Sequence, residues 1–148
     1  MLTVRVEIDD FNQGQEIAAL QKKRTDIGAI VTFTGTVRDM TGTLTSLTLE
    51  HYPGMTKREL ERIGQDAITR WNLLGCTIIH RYGTLKPGEN IVLVITTAPH
   101  RGDAFKAAEY IMDYLKTSAP FWKKETTKTD STWVDAKDTD DQAKDRWS

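Results

Sequence analysis

Residues 91 to 98, IVLVITTA, carry no charge and no turn former, and they follow the turn signal Lys86-Pro87-Gly88-Glu89. A strand this apolar has neither face to offer to water, so it belongs in the middle of a sheet with both faces covered. The remaining elements must therefore supply that cover. Leu2, Val4, Val6 and Ile8 alternate with polar residues and predict a half-buried first strand ending at Asp9-Asp10, followed by a helix from Gln15 to Arg24. Residues 28 to 38 and 44 to 52 are rich in β-branched side chains and flank a turn at Gly42, which predicts two strands paired as a hairpin. Thr56 followed by Glu59 matches a capping box, and Leu60, Ile63, Ala67 and Trp71 then share one helical face up to a stop at Gly75.

After the strand-like GCTIIHRYGTL and the apolar run, a long helix is expected from about Gly102 or Asp103, with Phe105, Ala108, Met112 and Leu115 at helical spacing. The residue before Pro120 is pushed toward extended geometry, so that helix ends near Thr117 or Ser118, and Phe121 and Trp122 begin a short strand. Hairpins and helices alternate irregularly, which makes the class α+β and not a doubly wound parallel sheet. A length of 148 residues with 39% hydrophobic content fits one domain, 1–148, with a tail beyond Asp138 expected to be flexible unless Trp147 docks it.

Charge and cysteine content narrow the function. Lys and Arg number 20 against 21 Asp and Glu, a formal net charge of -1, so the whole molecule has no bias toward nucleic acid or an anionic membrane. The charges are nonetheless sorted near the end: Lys116, Lys123, Lys124 and Lys128 precede a tail holding Asp135, Asp138, Asp140, Asp141 and Asp145. The single cysteine, Cys76, lies in an apolar run and builds neither a disulfide nor a cysteine metal cage. His51, His80 and His100 show no HxH or HExxH spacing, and no Walker loop, GxGxxG turn or GxSxG elbow is present. The N-terminus MLTVRVEIDD lacks a basic start and an apolar stretch, and no segment approaches bilayer length, so a cytoplasmic protein is expected.

The stretch MDYLKTSAPFWKKE, residues 112 to 125, sets Lys116 in the last helical turn and Lys123 directly after a tryptophan. A lysine beside apolar groups and other cations has its charged form disfavoured, which makes it available for proton transfer or nucleophilic attack. Helix-end lysines that complement the dipole and lay their stems on apolar surface are the commoner case. His100 and Arg101 sit where the long helix begins, so free backbone N–H groups there favour an anion such as phosphate, although a solvated capping turn has the same pattern. Arg38 closes a strand of small and β-branched residues and offers a planar fork for phosphate or carboxylate, if it is more than an exposed hairpin arginine. In LEHYPGM, turn chemistry explains Pro53 and Gly54 but not Glu50 and His51.

Taken together, VTFTGTVRD at 31 to 39, LEHYPGM at 49 to 55, IHRYGTLKPGE at 79 to 89, TAPHR at 97 to 101 and MDYLKTSAPFWKKE closely resemble the catalytic (large) subunit of molybdopterin synthase, the MoaE family. The resemblance runs from about Ile27 to Trp147. It implies an α/β hammerhead fold with a mixed, largely antiparallel sheet and a hairpin subdomain. It also implies a homodimer within a heterotetramer that includes a small ubiquitin-like sulfur-carrier subunit ending in a Gly-Gly thiocarboxylate. The reaction it implies is conversion of cyclic pyranopterin monophosphate (precursor Z) to molybdopterin by installing two dithiolene sulfurs, with no metal or organic cofactor. Carried over position by position, Lys116 and Lys123 are the catalytic lysines, and Arg38, His100, Arg101 and Lys137 bind substrate. Lys137 stands where an arginine is common, keeping the charge without the bidentate fork. A member that only docks the carrier, as a scaffold, is the alternative, and it would be expected to lose a lysine or the His100-Arg101 pair.

Overall fold

The computed structural model describes residues 1–128, 130–134 and 138–147, without the side chains of 138–140. The apolar run becomes β6 (Asn90–Ala98), flanked on one side by β4 (Gly75–Arg81), which in turn carries β1 (Leu2–Glu7), and on the other by β2 (Ala29–Thr36). In this first sheet, β1 runs parallel to β4 and the other pairs are antiparallel. Both faces of β6 are covered, as its composition requires. Cys76, Ile78, Val92 and Val94 face α2 (Met55–Trp71) and α3 (Arg101–Ser118), packing with Leu60, Ile63, Ala107 and Ile111. On the opposite face, Ile79, Leu93 and Ile95 meet Phe11 and Leu20 of α1 (Gln13–Gln21) and the segment before it. Leu60, Ile78, Leu93, Ile95 and Ile111 are fully buried, and each such side chain stabilises the fold by roughly 1.5–3 kcal/mol.

The second sheet has the order β5–β3–β7–β8, formed by Gly83–Leu85, Leu44–His51, Phe121–Thr127 and Ser131–Val134, all antiparallel. Val37, Leu47, Leu49 and Leu85 make its own small core. The α+β class expected from the element order is what the chain adopts, with five of the six strand pairings among the described residues antiparallel. Among the described residues no helix is long and apolar enough to cross a membrane.

Several local expectations are corrected. β2 and β3 do not pair with each other. At a register shift between Gly35 and Thr36 the chain leaves the first sheet, and Val37 gives its N–H to the Glu89 carbonyl at 2.8 Å and accepts from Gly88 N–H at 2.8 Å. With its backbone groups so engaged and its side chain in the second core, the connection delivers β3 to the other sheet. Thr56 does not cap α2: Gly54, at φ 82°, is the N-cap, and the Thr56 hydroxyl donates to the Tyr52 carbonyl at 2.9 Å. That helix ends at Asn72 in the left-handed region, not at Gly75, which instead opens β4. A Cβ at Gly75 would sit 2.9 Å from both Leu20 Cδ2 and Thr97 Oγ1, so that glycine serves packing and not helix termination.

Three helix boundaries move as well. α1 starts at Gln13 because the Asn12 side chain accepts from Gln15 N–H at 3.0 Å, and it stops at Gln21 before Lys23 enters positive φ. The long helix α3 starts at Arg101 and ends at Ser118, but Phe105 is solvent-facing, and the buried stripe runs instead through Ala104, Ala107, Ala108, Ile111 and Leu115. Of the two outcomes the sequence allows for the tail, docking is the one adopted: it forms α4 (Asp138–Asp145) against α3. Trp147 donates its indole N–H to Asp113, and its ring meets Trp71 and Tyr110 edge-on at 5.7 and 5.8 Å.

Candidate active site

The two lysines come together. Lys116 lies in the last turn of α3, where the helix stops because Ala119 is extended ahead of Pro120, and Lys123 is the third residue of β7. Both line one open cavity of about 120 Å³ at the seam between the sheets. Its apolar wall comes from Phe33 on β2, Ile91 and Val92 on β6, Met112 and Leu115 on α3, and Phe121 on β7. Gly35 completes the wall beside the register shift, and a Cβ there would stand 2.8 Å from Val92 Cγ1. Lys116 is exposed at the rim, and Lys123 is half-buried. Two amines against an apolar wall can move protons and polarise a carbonyl bound between them.

His80 also lines this cavity, which the sequence reading missed. It is the last inward residue of the β4 alternation Cys76, Ile78, His80, and that period-2 placement of a histidine on an apolar face was the available signal. Its Nδ1 lies 2.8 Å from the Arg81 carbonyl. A carbonyl only accepts, so Nδ1 carries the hydrogen and Nε2 is the acceptor. The ring stacks on Phe121 with centroids 3.7 Å apart and 19° between planes. Burial pushes its pKa down to about 4, with further lowering from Lys123, His51 and Lys116, against a raising effect of the Arg81 hydrogen bond. At neutral pH the imidazole is uncharged.

Other candidates fall elsewhere. Trp122 points away from the cavity, 41% exposed and edge-on to Tyr52 at 4.6 Å, so of the two adjacent aromatic residues that open β7 only Phe121 lines it. Lys124 projects from the opposite face of β7 and lies over the Trp133 ring at 5.6 Å. His51 sits across from Phe121 in the β3–β7 register, 4.4 Å from the Tyr82 ring. Arg38, exposed, follows Val37 at the same end of the first sheet as the cavity but does not line it. His100 and Arg101, both exposed, stand at the other end of α3, ~22 Å from Lys116 at 1.5 Å per residue. His100 is the N-cap of this 18-residue helix and makes no side-chain capping bond there. Lys137 lies outside the described residues. Cys76 is fully buried, and burial pushes its thiol up to about 12, so it stays protonated. Among the described residues no group of three or more His, Cys, Asp or Glu side chains is placed to hold a metal ion.

The chain is a two-sheet α+β protein with two lysines in a cavity at its seam, and comparison with known proteins identifies its family. The model of the family described as MoaE protein matches residues 6–118. The chain is 56% identical over 149 residues to the molybdopterin synthase catalytic subunit of Rhizobium meliloti (strain 1021), covering 99% of this chain and 96% of that one. Its structure superposes on the molybdopterin biosynthesis MoaE protein from Burkholderia ambifaria MC40-6 with a TM-score of 0.86 at 51% identity, covering 99% and 98% of the two chains. It likewise matches molybdopterin synthase from Staphylococcus aureus, with a TM-score of 0.80 at 32% identity over 88% and 95%. The chain belongs to the MoaE protein family.

Proposed function

We propose that this chain is the catalytic subunit of a molybdopterin synthase, acting in molybdenum cofactor biosynthesis as a single functional domain of residues 1–148 in the cytoplasm. It converts cyclic pyranopterin monophosphate to molybdopterin by inserting two dithiolene sulfurs delivered by the thiocarboxylated C terminus of a small sulfur-carrier subunit. Family membership supports the reaction, and the observation that carries the site is the meeting of Lys116 and Lys123, from separate elements, in one cavity. The open cavity suits the narrow end of an extended Gly-Gly tail. Lys123 as an ammonium polarises the thiocarboxylate carbonyl, while Lys116 takes and returns protons as sulfur moves to the pterin. The sulfur comes from outside, since the one thiol of the chain is buried and protonated.

Arg38, His100 and Arg101 hold the substrate phosphate, the last two with the N-terminus of α3. The distance of His100 and Arg101 from Lys116 within one chain fits a homodimer in which one copy supplies phosphate-binding residues to the cavity of the other. Lys137 is proposed as a further substrate-binding cation. The test is to mix the purified chain with thiocarboxylated carrier and precursor and to look for the dithiolene product by mass spectrometry. Product that depends on both partners is expected, and its absence with folded protein and bound carrier would overturn the assignment.

A further inference from the structure

The cavity holds a group that the proposed function has not used. His80 projects from the end of β4 into the same space as Lys116 and Lys123. A histidine that serves only the core has both nitrogens satisfied by its surroundings. Here Nδ1 is satisfied by the Arg81 carbonyl, and His80 is among the residues that line the cavity. Phe121 and Lys123 lie two apart on β7 and so project from the same face, and Phe121 is stacked on the His80 ring. Lys123 is thereby brought alongside the imidazole. A lysine ammonium has three donors, no acceptor and a flexible four-carbon stem, so its aim depends on the acceptors around it.

We propose that His80 is a positioning residue for sulfur transfer, whose Nε2 accepts a hydrogen bond from the Lys123 ammonium and aims it at the carbonyl of the incoming carrier terminus. This rests on the reading of Lys123 given above. The ring is suited to the task because two contacts fix it: the Nδ1 hydrogen bond sets the tautomer, and the Phe121 stack sets the plane. It also has to stay neutral, since a protonated imidazole would offer a second donor where an acceptor is needed and would add a further cation to the cavity. The titratable groups acting on it are Lys123 from β7, His51 from β3 and Lys116 from α3, and all three oppose its protonation in addition to burial.

Amide side chains separate the two ring nitrogens. His80→Asn reaches the Nδ1 position, keeping the bond to Arg81 and placing nothing at Nε2, whereas His80→Gln carries an amide to the Nε2 position. In the reconstituted system with thiocarboxylated carrier and precursor, His80→Asn should lose about 30-fold in kcat, as expected for a lost hydrogen bond to a charged group. KM for the pterin and carrier affinity should be unchanged. His80→Gln should stay within about threefold of the natural protein. An acceptor favours the ammonium form, so the alkaline limb of the rate profile should move to lower pH in His80→Asn and return in His80→Gln. His80→Phe, which keeps the ring stack, should behave like Asn. If it does not fold, the Asn and Gln pair decides alone. Equal activity of Asn and Gln, or equal losses in both with an unmoved pH profile, overturns the proposal. Lys116→Ala and Lys123→Ala run in parallel: if both turn over normally, it is the lysine reading that has failed and not the histidine role alone.

Discussion

Acidification should destabilise this protein through His80 by an amount that the structure sets. The imidazole has a pKa near 6.5 in the unfolded chain and about 4 in the folded one, chiefly because burial disfavours the charged ring. Below pH 6.5 the unfolded chain takes up a proton that the folded chain refuses until about 4, so the stabilisation is fully present above 6.5 and is lost as pH falls through that window. Each pH unit of the gap is worth ~1.4 kcal/mol, which makes about 3 kcal/mol over the whole window and about 2 kcal/mol by pH 5. That is a large share of the roughly 5–15 kcal/mol that holds a domain together. Urea denaturation of the natural protein and of His80→Gln at several pH values from 7.5 to 5 measures it directly. The glutamine has no proton to take up, so the natural protein should lose about 2 kcal/mol more than the variant between those limits. Parallel pH dependences would refute the reasoning, because they would mean that the ring titrates alike in both states.

Lys116→Ala and Lys123→Ala should each reduce dithiolene formation by about 100-fold or more while leaving the melting temperature within a few degrees, since one side chain is exposed and the other half-buried at a cavity. Arginine at either position should rescue poorly, because a guanidinium does not release its proton. Arg38→Ala, His100→Ala and Arg101→Ala should each raise KM for the pterin about tenfold with carrier affinity unchanged, the loss expected for one charged phosphate contact. Equal losses of carrier binding, read by titration with carrier alone, would remove the phosphate role. Cys76→Ser should keep sulfur transfer intact and lower stability by about 1–3 kcal/mol, because it sets a hydroxyl in an apolar site. Lost transfer in a folded, carrier-binding Cys76→Ser would make the thiol a relay.

What the sequence disclosed was what neighbours in the chain decide. The β6 strand and the α3 helix were legible because an apolar run of strand length and a proline after a helical stripe are local signals. The partner of β2 was not, because two adjacent β-branched runs read as a hairpin, and only the Val37 bonds to Gly88 and Glu89 show why the chain changes sheets. Gly75 read as a helix stop, whereas its purpose is contact with Leu20 and Thr97, residues far away in sequence. Docking of the tail by Trp147 was legible only as an option, because an acidic composition does not show that Trp147 finds Trp71, Tyr110 and Asp113. For the site, the lysines were visible as misfits among aromatic residues. His80 was not, because a histidine at the end of a buried strand looks the same whether it closes a core or faces a cavity.

The position of the cavity follows from those same non-local choices. It opens where three element ends meet: β2 shifts register at Gly35 and leaves its sheet, α3 stops before Pro120, and β7 begins at Phe121. A hairpin of β2 with β3 would have carried one sheet on past that point. Because β3 pairs with β7 instead, the start of β7 is drawn over the end of β4, and this is what stacks Phe121 on His80 and turns Lys123 toward Lys116. The backbone there is committed elsewhere, so the side chains at the seam are free to differ from those of a core. Lysines at this place cost little stability, since one head is already at the rim and the other only half-covered. The same pairing that the sequence concealed is therefore the reason the two lysines it revealed meet in one site.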